Sequence, residues 1–186
     1  PEGDLTHKPV GKANFELHQP IPDHTVGISL VMKALTDPEH GVIASLDEVK
    51  AVGHRVAHGG EYFPVSCLVD ADVKEKIRSL CAIAPLHNPA SLQGIEAIDT
   101  VLPGVPQVTV FDTSFHQTIP AMNYLFALPY GYYEKYRVRK YGFHGTSHKF
   151  VARAGAELAG LDLNASKIVT CHIGNGGSVT AVLNGK

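Results

Sequence analysis

The feature that most constrains the fold is an apolar, β-branched run at positions 108–111, with the sequence VTVF, which stops abruptly at Asp112. A short run of this composition predicts a strand buried inside a sheet. Ligands of open α/β sheets bind just outside the carboxyl ends of the strands, so Asp112 is well placed for chemistry. Two interpretations remain open: the carboxylate accepts a proton or aligns a charged group, or it only caps the turn after the strand.

A second predicted strand, at 51–57, leads into residues 54–61, with the sequence HRVAHGGE. Arg55 can grip a carboxylate or a phosphate with its guanidinium fork, and the two glycines after the strand allow a close backbone approach to a ligand. The alternative is a surface arginine beside a tight turn. His54 and His58 would lie about 13 Å apart on a strand, too far to share a metal. The glutamate of the HExxH zinc motif is absent too, which excludes a metalloprotease.

Helices are predicted between the strands from their capping residues. Asp23 can cap a helix that runs to about Leu35, and Asp70 or Asp72 can begin a second one. The alternation of strand, helix, helix and strand over 50–112 predicts a layered α/β domain.

Residues 84–89, with the sequence APLHNP, predict the start of a further helix over 90–101. Asn88 suits the N-cap and Pro89 the first helical position. His87 would then lie at a helix N-terminus, where an anion is favoured. The alternative, and the more common case, is a histidine that is only packed.

Less regular structure is predicted on either side of this region. Short strands are predicted at 13–17 and 122–128, and an aromatic helical turn at 130–136. The tyrosines of that turn indicate packing rather than a platform for stacking bases, because no basic stripe surrounds them.

The second dense motif lies at 141–148, with the sequence YGFHGTSH, and precedes an amphipathic helix. Thr146 or Ser147 can cap this helix. A histidine beside a helix N-terminus can donate to developing negative charge, which indicates a role for His144. The alternative is a metal site that uses His144 and His148, but a third ligand of matching spacing is not evident.

The last motif is a glycine-rich connection at 174–177, with the sequence GNGG, between predicted strands at 167–172 and 178–183. The Asn-Gly pair favours a hairpin with a tight type I′ turn. The connection can also act as a phosphate loop whose backbone N–H groups face phosphate oxygens. Both interpretations can hold at once. The motif is neither the GxxxxGK[ST] loop nor the GxGxxG fingerprint.

Composition excludes several classes of function. A formal net charge of -2 gives no case for nucleic-acid or acidic-membrane binding. No apolar run approaches the roughly 20 residues of a membrane span, and no signal peptide opens the chain. Three cysteines without CxxC spacing indicate reduced cytoplasmic thiols rather than disulfides or a zinc site. Because the chain starts without methionine and stops in a turn sequence, we expect a fragment of a longer protein.

Taken together and in order, the motifs at 54–61, 84–89, 111–118, 141–148 and 172–178 closely resemble the acetate kinase family. The resemblance implies an α/β, ribonuclease-H-like fold of the acetate-and-sugar-kinase, heat-shock-ATPase and actin class, here incomplete. It implies that 1–114 form most of an N-terminal domain and that 115–186 begin a second, nucleotide-binding domain. The cleft between them would close during catalysis, about a seam just after Asp112.

The resemblance also implies an activity, namely ATP + acetate ⇌ ADP + acetyl phosphate, with Mg²⁺ and a homodimeric enzyme. Arg55 would bind the carboxylate or acyl phosphate, Asp112 would align or activate the acyl oxygen, and His144 would stabilise the phosphoryl group in flight. Two further groups of residues complete the site that the resemblance implies. The methyl pocket would be walled by Ala57, Leu86 and Phe143, and the ATP phosphates would be lined by His172, Ile173, Gly174, Asn175 and Gly176.

Departures from the family pattern matter for function. The Asn-x-Gly-Ser-Ser-Ser loop, the later catalytic arginine, the adenosine motif and the metal-binding glutamate are absent from this sequence, so we expect no significant kinase activity from these 186 residues alone. Ala57 stands where acetate kinases usually carry valine, which makes propionate kinase an alternative. A non-catalytic anion-binding fragment and a histidine-based metal hydrolase are the alternatives from other classes.

Overall fold

The computed structural model describes residues 2–186, so Pro1 lies outside the described residues. Its strands are β1 (Glu2–His7), β2 (Phe15–Pro20), β3 (Val52–Val56), β4 (Cys67–Leu68), β5 (Gln107–Phe111), β6 (Lys167–Ile173) and β7 (Gly177–Leu183). Its α-helices are α1 (His24–Leu35), α2 (Ala71–Ser79), α3 (Asn88–Val101), α4 (Ala121–Tyr124), α5 (Gly131–Tyr136) and α6 (Gly145–Leu158). The predicted mixture of helices and sheets is confirmed.

The apolar run before Asp112 forms β5, the central strand of a three-stranded sheet with the order β3-β5-β4. β5 pairs in parallel with β3 and antiparallel with β4. One face of this sheet and helices α2 and α3 enclose a core of Val56, Phe63, Val73, Ile77, Leu80, Leu92, Ile95 and Phe111. The rings of Phe63 and Phe111 stack with centroids 4.1 Å apart. The parallel pairing places the carboxyl ends of β3 and β5 side by side, which positions the site described below.

The packing of this core leaves no room for a side chain on the two glycines after β3. A Cβ added to Gly59 would lie 2.9 Å from Cγ of Phe111, and a Cβ added to Gly60 would lie 2.6 Å from Cδ2 of Leu80. Gly60 also has a φ of 56°, a conformation that favours glycine. The core thus accounts for both glycines, and the expectation that they admit a ligand to the backbone stays a prediction.

The predicted caps are confirmed for α1 and α2 but not for α3. Asp23 accepts a hydrogen bond from Val26 N, and Asp70 accepts one from Val73 N. Asn88 is the first residue of α3 and not its N-cap. Its side-chain amide is used elsewhere, because Oδ1 accepts from His58 N at 3.1 Å and Nδ2 donates to His58 O at 2.9 Å. This buried amide fixes the chain just after β3.

The predicted strand over 122–128 is wrong. A helical turn, α4, begins after Pro120, and Asn123 N donates to Pro120 O within it. Near the N-terminus the predicted strand at 13–17 is one member of a hairpin, in which β2 pairs antiparallel with β1. β1 itself was not predicted, because its six residues contain little apolar alternation.

The aromatic turn is confirmed as α5, and part of its tyrosine cluster packs around a buried ion pair. Arg139, whose side chain is 4% exposed, donates to Glu61 at 2.7 Å and lies over the ring of Tyr124 at 3.6 Å. Tyr133 Oη donates to the same carboxylate at 2.9 Å. These contacts link the loop after β3 to the segment after β5.

The predicted hairpin near the C-terminus is confirmed as β6 and β7, which pair from Lys167 opposite Leu183 to Ile173 opposite Gly177. Its connection is a three-residue loop, Gly174–Gly176, so the predicted type I′ turn is wrong at this position: such a turn needs positive φ at both central residues, and neither Asn175 nor Gly176 has one. Positive φ angles of 52° and 79° occur at the next Asn-Gly pair, Asn184 and Gly185.

Among the helices of the described residues, none combines the length and the apolar character needed to cross a membrane.

Candidate active site

One cavity, of about 590 Å³, lies where the carboxyl ends of β3 and β5 meet the start of α6. Six of the predicted site residues line it, namely Arg55, Ala57, Leu86, Asp112, Phe143 and His144. The five residues predicted to contact ATP phosphates lie on the adjacent hairpin instead of in the cavity wall. His172 stacks on His144 with ring centroids 4.1 Å apart, so this hairpin borders the cavity.

The charged centre of the cavity is a bidentate ion pair. Arg55 Nε donates to Asp112 Oδ1 at 3.0 Å, and Nη2 donates to Oδ2 at 2.6 Å. The parallel register sets Val56 beside Phe111, so the two side chains emerge at the same sheet edge. The hydrogen bonds to Asp112 raise the pKa of Arg55. Because both carboxylate oxygens are engaged with Arg55, Asp112 aligns a charged group and does not merely cap a turn.

The two partners of this pair differ in exposure. The Asp112 side chain is 2% exposed, whereas that of Arg55 is 66% exposed. Asp112 therefore anchors a guanidinium that faces the open cavity. The outer edge of the guanidinium takes no part in the pair, and both N–H groups of Nη1 and the second N–H of Nη2 are left to meet an anion.

The apolar side of the cavity contains Ala57, Leu86 and Phe143. Leu86 is 86% exposed, so this wall is open to solvent. His58 also lines the cavity, and its ring makes edge contacts with Tyr141 and Phe143 at centroid distances of 4.4 and 5.5 Å. Phe143 is held by its backbone, since His116 Nε2 donates to its carbonyl at 2.9 Å. A charged group and a small apolar surface thus face the same space.

His144 enters the site through an unusual backbone conformation. It has a φ of 56°, in the left-handed region, and it directly precedes α6. Non-glycine residues in this region are uncommon, and they are enriched at functional sites. The first helical N–H, of Gly145, donates to Asp112 O at 2.9 Å. The start of α6 is therefore joined directly to the residue that anchors Arg55.

The predicted caps of α6, Thr146 and Ser147, are wrong. The N-cap is His144, two residues before Thr146, and no side chain caps the helix. Ser147 Oγ lies 2.9 Å from Nδ1 of His172 instead. The hydroxyl thus orients an imidazole of the facing hairpin.

Three polar residues around His144, namely Thr170, His148 and Ser178, were not predicted as catalytic or binding residues of the kinase site. Ser178 Oγ lies 2.7 Å from His144 Nδ1 and 2.7 Å from His148 Nε2. His148 Nδ1 lies 2.7 Å from Thr170 Oγ1. From sequence, the helical spacing of His144 and His148 suggested only that the two residues could bind a metal together. The sequence signal that could have pointed to Ser178 is its hydroxyl directly after a glycine-rich loop.

A magnesium ion is implied by the family resemblance, so we tested the donor set of the described residues. Among residues 2–186 no group of three or more His, Cys, Asp or Glu side chains has metal-ligand geometry. Asp112, the carboxylate in the cavity wall, has both oxygens bonded to Arg55. The described residues therefore do not form a magnesium site by themselves.

The burial of His58 makes the stability of the protein depend on pH. Burial lowers the pKa of His58 from 6.5 to about 4. The unfolded chain takes up this proton near pH 6.5 and the folded chain only near pH 4, so the free energy of unfolding decreases as the pH falls through that window. We expect a weaker pH dependence in His58→Asn, whose Oδ1 can still accept from Gly60 N as Nδ1 does at 3.0 Å.

Urea unfolding of the complete protein at several values between pH 7 and 4 measures this effect. His116 and His148, whose pKa values burial also lowers, are present in both proteins, so the difference in slope belongs to His58. Identical slopes would contradict the assignment.

Known proteins resemble the chain along its whole length. The acetokinase family profile matches residues 2–186. Acetate kinases of Caldanaerobacter subterraneus subsp. tengcongensis and Thermotoga maritima are 52% and 54% identical over 182 residues, which is 98% of this chain and 45% of each relative. The chain spans about half the length of the curated relatives it matches.

Solved structures give the same result. The acetate kinase of Porphyromonas gingivalis matches with a TM-score of 0.92 and 44% identity, over 98% of this chain and 46% of that one. A propionate kinase from Francisella tularensis matches with a TM-score of 0.83 and 36% identity, over 100% of this chain and 49% of that one.

These likenesses place the chain in the acetate-and-sugar-kinase, heat-shock-ATPase and actin fold class, of which it contains a part. The predicted fold class is confirmed. Within that class, the chain belongs to the acetokinase family.

Proposed function

We propose that the complete protein containing this chain transfers a phosphoryl group reversibly between ATP and acetate, giving ADP and acetyl phosphate. The observation that carries the proposal is the cavity that joins the Arg55–Asp112 pair and His144 to an apolar wall. A short-chain carboxylate has the matching chemistry, since it combines an anionic head with a small apolar tail. Phosphoryl transfer mainly requires positioning and charge neutralisation, which such side chains can supply.

Arg55 would bind the acyl oxygens through its outer edge, which carries both N–H groups of Nη1 and the second N–H of Nη2, because Nε and the other N–H of Nη2 donate to Asp112. This edge keeps the two-pronged grip predicted from sequence available. Asp112 would fix the direction of the guanidinium, and the methyl group would rest against Ala57, Leu86 and Phe143. In this arrangement the carboxylate lies between a fixed positive charge and the start of α6.

The Gly174–Gly176 loop would contact the nucleotide phosphates. Gly174 N donates to Gly176 O at 3.1 Å within the loop, so the amides of Asn175 and Gly176 are the ones to face phosphate oxygens. Both residues are exposed, and His172 and Ile173 lead into them. The adjacent His144 would donate to the phosphoryl group as it moves between donor and acceptor.

We also propose that 1–114 and 115–186 belong to two domains whose closure completes the site. The β3-β5-β4 sheet lies in the first range and the β6–β7 hairpin with α6 in the second, which supports this division. Magnesium, a homodimeric assembly and a cytoplasmic location are proposed from family resemblance alone.

An assay of acetyl phosphate formation tests the proposal. The complete protein should form acetyl phosphate from ATP and acetate, whereas residues 1–186 alone should not, because they span about half of the relatives' length. Absence of phosphoryl transfer from the complete protein to any short-chain carboxylate would refute the function.

Propionate is a second candidate acceptor because Ala57 lies in the apolar wall. A valine there would add two methyl groups and shorten the pocket. We expect Ala57→Val to raise the ratio of kcat/KM for acetate to that for propionate by about 10-fold, the discrimination typical of one methylene group. Steady-state kinetics with both acids measure the ratio.

Val65→Ala offers a matched control for this substitution. Val65 is exposed and does not line the cavity, so its truncation should leave the acetate-to-propionate ratio unchanged. An unchanged ratio in Ala57→Val would contradict the role of position 57 in acyl selection.

A further inference from the structure

A series of hydrogen-bonding side chains leads from the interior to His144. Thr170 Oγ1, on β6, lies 2.7 Å from His148 Nδ1 on α6. His148 Nε2 lies 2.7 Å from Ser178 Oγ on β7, which lies 2.7 Å from His144 Nδ1. All three distances are those of strong hydrogen bonds. Residues from three different elements are thus connected in one line that ends at the cavity.

The buried end of this line determines where its hydrogens lie. The single hydrogen of Thr170 Oγ1 has two acceptors, His148 Nδ1 at 2.7 Å and the Thr180 carbonyl at 3.5 Å. The 2.7 Å contact fits donation from either atom, but the Thr180 carbonyl lies at the limit of hydrogen-bonding distance, so we assign the hydroxyl hydrogen to Nδ1. His148 is 1% exposed, and burial lowers its pKa. A neutral His148 that accepts at Nδ1 carries its proton on Nε2 and donates it to Ser178.

We propose that Thr170, His148 and Ser178 are positioning residues that hold His144 as the neutral tautomer with its proton on Nε2. Ser178 Oγ accepts from His148, so its own hydrogen is donated to His144 Nδ1. That nitrogen then has no proton, and the remaining proton of His144 is on the opposite side of the ring. The role of this N–H as a donor to phosphate rests on the function proposed above, but the tautomer does not.

The ring is also held in place so that Nε2 borders the glycine loop. A Cβ added to Gly176 would lie 3.4 Å from both Cε1 and Nε2 of His144. The face of the ring stacks on His172 at an interplanar angle of 18°, and Ser147 orients His172. The donor is therefore directed to the place where phosphate oxygens are proposed to bind.

Nitrogen NMR of the complete protein labelled with ¹⁵N-histidine tests the tautomer directly at pH 8, with the His144 signals assigned by their loss in His144→Gln. We expect a protonated Nε2 and an unprotonated Nδ1. Ser178→Ala should abolish this preference, and Ser178→Thr, which retains the hydroxyl, should restore it. A proton on Nδ1 in the wild-type protein, or an unchanged signal in Ser178→Ala, would overturn the proposal.

Kinetics provide a second test that separates positioning from folding. Ser178→Ala and Thr170→Val should each lower kcat by about 10- to 100-fold with little change in KM for acetate, as is typical when an outer partner of a functional histidine is lost. Thr170→Ser should recover most of the loss. An effect on KM alone would argue against the proposal. If the complete protein showed no phosphoryl transfer, the proposed function would be refuted. The NMR experiment would still decide the tautomer of His144, because it does not depend on activity.

Discussion

Asp112→Asn is expected to lower kcat/KM for acetate by about 100- to 1,000-fold, the range seen when a preorganised electrostatic partner is lost from an active site. Asn retains the shape of the side chain, but it offers one oxygen acceptor where Asp112 offers two to Arg55. The new amide NH₂ would face an N–H of Arg55, and two donors cannot form a hydrogen bond. The Arg55 guanidinium would therefore rotate away from position 112. The charge that neutralises Arg55 would also be lost.

The same substitution should change stability much less than activity. Arg55 is 66% exposed, so water can solvate its charge when the carboxylate is removed. Steady-state kinetics and thermal unfolding of the complete protein measure the two effects separately. Asp72→Asn, which removes a carboxylate from an exposed pair with Lys76, is the matched control and should leave activity unchanged. Near-normal kcat/KM in Asp112→Asn would contradict the anchoring role of Asp112.

Gly145→Ala is expected to reduce both stability and activity. A Cβ at this position would lie 2.3 Å from the backbone oxygen of Asp112 and 3.0 Å from Cβ of Phe115. Backbone atoms cannot move aside as a flexible side chain can, so the start of α6 must separate from the end of β5. We expect a loss of about 3 kcal/mol in the free energy of unfolding, at the upper end of the usual cost of overpacking.

The activity loss should be about 100-fold, since a displacement near 1 Å can cost this much when catalytic groups are misplaced. Gly155→Ala in the same helix is the control, because a Cβ there meets no atom within 4 Å. It should stabilise the protein by about 0.5–1 kcal/mol, as alanine does relative to glycine inside helices. Chemical denaturation and kinetics of both variants test the contrast. Equal stabilities of Gly145→Ala and Gly155→Ala would show that the start of α6 is not closely packed against the backbone of Asp112.

The sequence predicts the parts of the site that depend on local pattern and strand order. The apolar run before Asp112 identifies β5, and the parallel pairing that follows from α/β alternation explains why Arg55 lies beside it. The two ends of the C-terminal hairpin follow similarly from alternating strands around a glycine run.

Other contacts depend on residues that are distant in sequence, and these were missed or misassigned. Asn88 has the local signature of an N-cap, yet its amide bonds to the backbone of His58, 30 residues away. The pairing of Ser178 with His144 depends on how the hairpin packs against α6, which no local pattern reveals. For 122–128, apolar content suggested a strand, but Pro120 begins a helical turn there instead.

The hydrogen bond between Gly145 N and Asp112 O has a mechanical consequence. If the two proposed domains rotate towards each other, this contact lies next to the axis of rotation, where displacements are smallest. The Asp112 carboxylate and the His144 imidazole would then keep the same relative position during domain closure. Closure would thus complete the site around Asp112 and His144, whose relative position is already set.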